Sequence, residues 1–222
     1  MSAPDLHAAA SAIDCAQDVV NQGFAHLAAT GSVETDQVVA YDLAHAAAGV
    51  EIARTLLEDY GERGEEEARI TCAFAADAVA DLAAKLFGRE AAWGVEPGAL
   101  DGARDFVAGY RDPAFLASID GPGPRHLDGD FEMVQDTFRR FADQKLAPIA
   151  EHIHRTNGDI PEDIIEGLAE MGTFGLSVPE EYGGFAAGGE SDYMGMVVAT
   201  EELSRGSLGV GGSLITRPEI LT

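Results

Sequence analysis

Apolar side chains recur in this chain at steps of three and four, and nowhere alternate with polar ones at a step of two over any length. That rhythm puts them on one stripe of an α-helix and leaves no pattern for a strand with one buried face. Val39, Leu43, Ala46, Val50, Ala53 and Leu57 form one stripe. Ile70, Phe74, Val79, Leu82 and Leu86 form another, and Ile13, Val19, Val20, Phe24 and Leu27 a third. Much of the 46% hydrophobic content is alanine, a strong helix former with little apolar area. The fold class expected is all-α, with closely packed helices. The 222 residues suffice for one large domain or two small ones.

Punctuation residues divide these helices. The first should end near Thr30 and Gly31, and Asp36 should cap the second. Gly61 and Gly64 end the second, and the acidic run at 65–67 suits the N-terminus of the third. Gly88 fits the position just past its end, and a shorter helix covers 98–110. The stretch 120–129 holds two prolines and three glycines, the best linker composition in the chain. The domain organisation expected is an alanine-rich bundle over 1–120, a linker over 121–129 and a second helical bundle over 130–222.

Past the linker, Phe131, Val134, Phe138, Phe141, Leu146, Ile149 and Ile153 form an amphipathic stretch that Pro148 should kink or split. Pro161 suits the first position of a helix whose buried face is Ile164, Ile165, Leu168 and Met171, with Gly172 as its stop. Residues 174–179 read as extended, 181–184 as a turn, and 191–205 as a last helix capped by Ser191 or Asp192.

The formal charge is −25, from 39 acidic and 14 basic residues. Such a surface repels nucleic acid and anionic lipid, and argues against a strong cationic site for the phosphates of coenzyme A in this chain. Cys15 and Cys72 stand outside any metal or redox spacing, and Cys72 reads as a small core residue. His152 and His154, two apart on a helix, point about 200° from one another and cannot share a metal. His45 reads as an interior or boundary histidine. No metal ligand set and no catalytic residue is assigned. Of the paired carboxylates, Glu180 and Glu181 should be solvated in their turn. Glu201 and Glu202 diverge by about 100°, so that one could face inward. The N-terminus has no basic or apolar leader pattern, and no run approaches about 18 uninterrupted apolar residues. These features indicate a cytoplasmic protein with no membrane span. Gly183, Gly184, Gly188 and Gly189, and then Gly206, Gly209, Gly211 and Gly212, match no phosphate-loop pattern.

Three segments in order carry a resemblance. The first is Ile160 and Pro161 opening a helix that reaches Leu168-Ala169-Glu170-Met171-Gly172. The second is Gly175-Leu176-Ser177-Val178-Pro179-Glu180-Glu181-Tyr182-Gly183-Gly184, and the third is Glu201-Glu202-Leu203-Ser204-Arg205. Over about 127–222 this run resembles the N-terminal helical domain of the acyl-CoA dehydrogenases. The resemblance implies an oxidoreductase of fatty acid metabolism, a flavoprotein that forms an enoyl-CoA from an acyl-CoA. Its helical domain would precede a β-barrel and a C-terminal bundle, with FAD held between those two and electrons passed to an electron-transfer flavoprotein. By the same resemblance Tyr182, Gly183 and Gly184 would border the acyl pocket, and Gly211, Gly212, Leu214 and Ile215 would lie near its floor. The barrel motif and the base are not found in this sequence, which ends in the apolar Ile220 and Leu221 before Thr222. The expectation is a fragment, inactive and without FAD by itself, completed within a homo-oligomer or by a partner subunit. Residues 1–120 faintly resemble a degenerate copy of the family's C-terminal bundle. A non-catalytic helical subunit that docks on a separate catalytic chain is the alternative.

Overall fold

The computed structural model describes residues 3–31, 33–121 and 123–216. The end of the chain at 217–222, which includes the apolar residues noted above, lies outside the described residues. Regular structure among those described is helical, with a single isolated bridge between Pro179 and Ala186. The all-α fold expected from the three-and-four rhythm is what forms. The chain divides into two compact units, Met1–Pro124 and Arg125–Thr222.

In the first unit α1 (Leu6–Thr30), α2 (Gln37–Thr55) and α3 (Glu65–Leu86) each pack on the other two. Short helices α4 (Glu90–Trp93), α5 (Arg104–Tyr110) and α6 (Pro113–Leu116) follow. Asp5 caps α1 by accepting from the Ala8 N–H, and Asp112 caps α6 from Ala114 and Phe115. Asp36 holds the cap position of α2, but its carboxylate accepts from the Thr35 hydroxyl instead of a first-turn amide. Gly88, at φ 75°, follows the end of α3 as expected.

The stripe on α2 packs inward as read, with Leu43, Ala46, Val50 and Ala53 buried. On α3 the buried line is turned toward the alanines: Ala68, Cys72, Ala75, Ala76, Val79 and Leu82 are inside, while Ile70 and Phe74 are half-buried at its edges. Small side chains let three helices approach at once, so bulk moves to the flanks. Gly23 shows how close the approach is. A Cβ there would lie 2.9 Å from Leu43 and 3.2 Å from the fully buried Trp93.

In the second unit α7 (Gly129–Phe141) and α8 (Ala147–Thr156) are one run of helix widened by a π turn at Ala142–Leu146. The interruption expected at Pro148 takes this form. Proline has no N–H to give and its ring crowds the carbonyl four residues back, and the wider turn relieves both. Next come α9 (Glu162–Glu170) and α10 (Glu190–Ser207). Pro161 is the cap of α9 and not its first residue, because its ψ of 141° is extended. Residues 174–179 do not run extended: a 3₁₀ turn at Thr173–Gly175 and a hydrogen bond from the Val178 N–H to the Gly175 carbonyl curl them. The cap of α10 is Gly189. Asp192 reaches back from the first turn to accept from the Gly188 and Gly189 amides at 2.7 and 3.1 Å, so Ser191 is not needed. Phe138, Leu146, Ile164, Leu168, Leu203 and Ile215 centre this unit's core. Gly206 lets α10 cross the π turn closely, since a Cβ there would fall 2.8 Å from that of Ala142.

Trp93 is the sole tryptophan and its fluorescence reports the first unit. Leu82→Ala, which opens a void at a fully buried site, should cost about 2–5 kcal/mol in urea unfolding followed at that indole. An unchanged midpoint would show that the α3 line is not the core of this unit.

Candidate functional site

The segment after α9 is a loop tied by its own backbone. The Gly183 N–H donates to the Glu180 carbonyl at 2.9 Å and the Gly184 N–H to that of Pro179 at 3.2 Å. Across the loop the Ala186 N–H meets the Val178 carbonyl at 3.0 Å, and the Phe185 N–H meets that of Gly175 at 2.9 Å. Gly183 has φ 86°, in the region glycine enters without strain. Gly184 admits no side chain at all, because a Cβ would stand 2.0 Å from the Val178 oxygen. So fastened, the loop holds Tyr182 out to solvent at 75% exposure. Beside it is a cavity of about 340 Å³, bounded by Ser177, Pro179, Ala186, Asp192, Tyr193 and Met196. Glu180 and Glu181 are exposed on this turn.

At the other end of α10 the chain leaves the helix at Ser207, whose hydroxyl accepts from the Val210 N–H at 3.2 Å, and enters a second π turn, Leu208–Gly212. Gly211, Gly212, Leu214 and Ile215 are all buried there. A Cβ on Gly211 would lie 2.8 Å from the Leu203 carbonyl, and one on Gly212 would lie 2.7 Å from the Ser204 hydroxyl. These glycines serve close packing and do not open space. The seven positions named from sequence therefore fall in two places: Tyr182, Gly183 and Gly184 on the loop, and Gly211, Gly212, Leu214 and Ile215 in the core around the turn. None of the seven lines the cavity beside the loop.

Between the two in sequence, on α10, is Glu202, with no exposed surface. Arg139 grips it with two nitrogens, Nη2 on Oε1 at 2.7 Å and Nε on Oε2 at 3.2 Å. Arg205 Nε adds a bond at 2.8 Å and Arg125 Nη1 one at 3.2 Å. Arg125 also pairs with Glu201, and Arg205 with Asp143. Burial alone raises the pKa of Glu202. The hydrogen bonds from Arg139, Arg205 and Arg125 outweigh it and hold the group at about 2. A carboxyl so placed stays ionised at neutral pH and neither gives nor takes a proton, so it cannot serve as acid or base.

The sequence shows that one of Glu201 and Glu202 can face inward, but not what meets it. Arg205, three residues on along the same helix, is the one signal the sequence offers. Arg125 and Arg139 lie too far off in sequence to suggest themselves. His45 is not interior: it is exposed, its ring tilted against that of Tyr41 with centroids 4.4 Å apart. His152 and His154 are also exposed. Among the described residues no group of three His, Cys, Asp or Glu is placed to hold a metal ion. Burial pushes the Cys72 thiol up to about 11, which keeps it protonated and inert. No helix among the described residues is long and apolar enough to cross a membrane.

Residues 128–221 match the family model of the acyl-CoA dehydrogenase N-terminal domain. The chain is 51% identical over 114 residues to (2S)-methylsuccinyl-CoA dehydrogenase of Cereibacter sphaeroides, covering 51% of this chain and 19% of that protein. It is 37% identical over 90 residues to 3-(aryl)acrylate reductase of Clostridium sporogenes, covering 40% and 22%. Glutaryl-CoA dehydrogenase of Desulfococcus multivorans matches at 33% over 82 residues, covering 37% and 21%. The chain thus spans about a fifth of the length of these curated relatives.

Glu202 titrates below its ordinary value when folded. Its stabilisation is therefore complete above about pH 4.5 and is lost as pH falls toward 2. Glu202→Gln should remove that part of the acid-unfolding profile and cost about 2–3 kcal/mol at neutral pH, the partners keeping some hydration. Circular dichroism across an acid titration reads both, and identical profiles for the two proteins would refute the assignment.

Proposed function

We propose that this chain supplies the helical N-terminal wall of a flavin-dependent acyl-CoA dehydrogenase, which removes hydrogen from the α and β carbons of an acyl-CoA thioester. The single observation that supports this is the ordered match over 128–221, on helices and a loop that form at the matching residues. In this reading Tyr182, Gly183 and Gly184 border the acyl pocket. Gly211, Gly212, Leu214 and Ile215 stand behind its floor, close-packed so that the wall holds its shape and keeps water from the reacting carbons. The substrate is a short acyl-CoA that carries a free carboxylate at its far end. The names of two relatives, which act on methylsuccinyl-CoA and glutaryl-CoA, support that class.

FAD would be the hydride acceptor in the whole enzyme, and an electron-transfer flavoprotein would take its electrons. The described residues do not fit FAD by themselves. The cavity beside the loop presents the Asp192 carboxylate, which repels a pyrophosphate, and no arginine or lysine bounds it. The barrel and the base would come from further polypeptide or from a partner subunit, and the chain alone would not turn over.

The test is a dye-reduction assay on the longest polypeptide that contains these residues, with methylsuccinyl-CoA, glutaryl-CoA and butyryl-CoA. Enoyl-CoA should form, with the two carboxylate-bearing substrates preferred. Tyr182→Ala, at an exposed site that leaves packing intact, should change kcat/KM among the three by about tenfold. Gly212→Leu cannot separate pocket from fold, because its side chain would strike Ser204 and Leu208. No enoyl-CoA from any of the three would sink the reading. Stoichiometric flavin absorbance in the 222-residue chain alone would contradict its role as one wall.

A further inference from the structure

Helix α8 ends at a reactive pair of residues. Asn157 follows its last residue, and Gly158 comes next. Of the two asparagines in the chain, this one precedes a glycine, while Asn21 precedes Gln22 inside α1. The side-chain amide carbon of an asparagine can reach the backbone nitrogen of the following residue and close a five-membered ring. The side chain of that following residue is what hinders closure, and glycine has none.

In the folded chain the cap of α8 keeps the pair apart. Asn157 is left-handed, with φ 50° and ψ 42°. The substituents of an L-α carbon stand about 120° apart, so this ψ sets the Asn157 Cβ roughly opposite the Gly158 nitrogen across the Cα–C bond. Ring closure needs the two on one side. The Gly158 N–H is also engaged, donating to the Ile153 carbonyl at 3.0 Å. Attack requires that nitrogen to give up its proton, and the bond retains it. Both obstacles belong to one cap and vanish together when the last turn opens. Little holds that turn shut: α8 has no buried residue, and residues 154–159 are all exposed. Fraying at such an end costs far less than unfolding the unit.

We propose that Asn157 is a site of spontaneous deamidation, gated by the opening of the α8 cap. The Gly158 nitrogen bonds to the Asn157 side-chain carbonyl carbon, and the bond from that carbon to the side-chain nitrogen breaks. The nitrogen leaves as ammonia, carrying the proton that the backbone gave up. Water then adds to either carbonyl of the ring. One opening gives aspartate, and the other gives isoaspartate, with an extra methylene in the main chain. Nothing is oxidised or reduced, and water is the co-reactant. Isoaspartate cannot restore the bond from Gly158 to Ile153 in its former register. Either product sets a carboxylate at the negative end of the helix dipole. The second unit alone carries this inference, which stands apart from the dehydrogenase reading.

The test incubates the 222-residue chain folded and in urea, and follows both asparagines by peptide mapping with mass spectrometry. Deamidated Asn157 should appear about tenfold or more faster in urea than in the folded chain, a ratio that reads the population of the open cap. Asn21 should lag behind it in urea, and the Asn157 rate should rise with pH. Aspartate and isoaspartate peptides should both form. Gly158→Ala should slow the reaction in urea, a readout that does not depend on folding. Arg155→Gly, at an exposed position in the last turn, should speed the folded-state reaction about fivefold and leave the rate in urea unchanged. Equal rates in the folded chain and in urea would overturn the gate. Aspartate as the sole product, an Asn157 that stays intact in urea, or no change with Gly158→Ala would overturn the site. A folded-state rate that Arg155→Gly does not move would overturn its dependence on the cap.

Discussion

A carboxylate removed from water must be met by enough positive charge and enough hydrogen bonds to remain ionised, and the second unit is assembled around one such demand. Glu202 faces guanidinium groups from three parts of the chain: the segment entering the unit (Arg125), α7 (Arg139) and its own helix (Arg205). Through Asp143, Arg205 extends the set to the π turn. These elements share a fixed register because none can slide without leaving the carboxylate short of a donor. The arginines keep part of their surface in water, so the cost of burial falls on one charge and not on four.

The first unit is held in another manner. Alanine is the commonest residue in its core, set among larger side chains such as Trp93, Leu43 and Leu82. Alanine contributes little apolar area per residue, so stability depends on how near the helices come. Gly23 lies where three elements converge, and its missing side chain sets that distance.

Much of this is legible in the residues. The helices of both units, the α2 stripe, the glycine past α3 and the stop at Gly172 follow from periodicity and from backbone freedom. What escapes is settled by contacts between distant residues or by bonds within a few. The orientation of α3 departs from its sequence pattern because size is a poor mark of burial where three close axes select for smallness. The path of 174–179 departs from it because side-chain pattern says nothing of amides that curl on nearby carbonyls. At the candidate site the PEEYGG loop is legible as a turn. The arginine set around Glu202 is not, since charge in sequence does not say which residues meet. The glycines at 211 and 212 are visible, but their purpose is not. A gap in side-chain volume looks the same in sequence whether a ligand or a neighbouring backbone fills it.

That last point bears on how this part of the chain can change over generations. Gly211 is sealed against the Leu203 carbonyl and Gly212 against Ser204, so single steps in side-chain size at these positions disturb the protein's own frame before they alter anything it faces. Tyr182 touches open solvent, so its exchange leaves the protein's own packing intact. Changes of sequence should accordingly accumulate along the loop, while the turn beyond α10 persists as an inherited fixture.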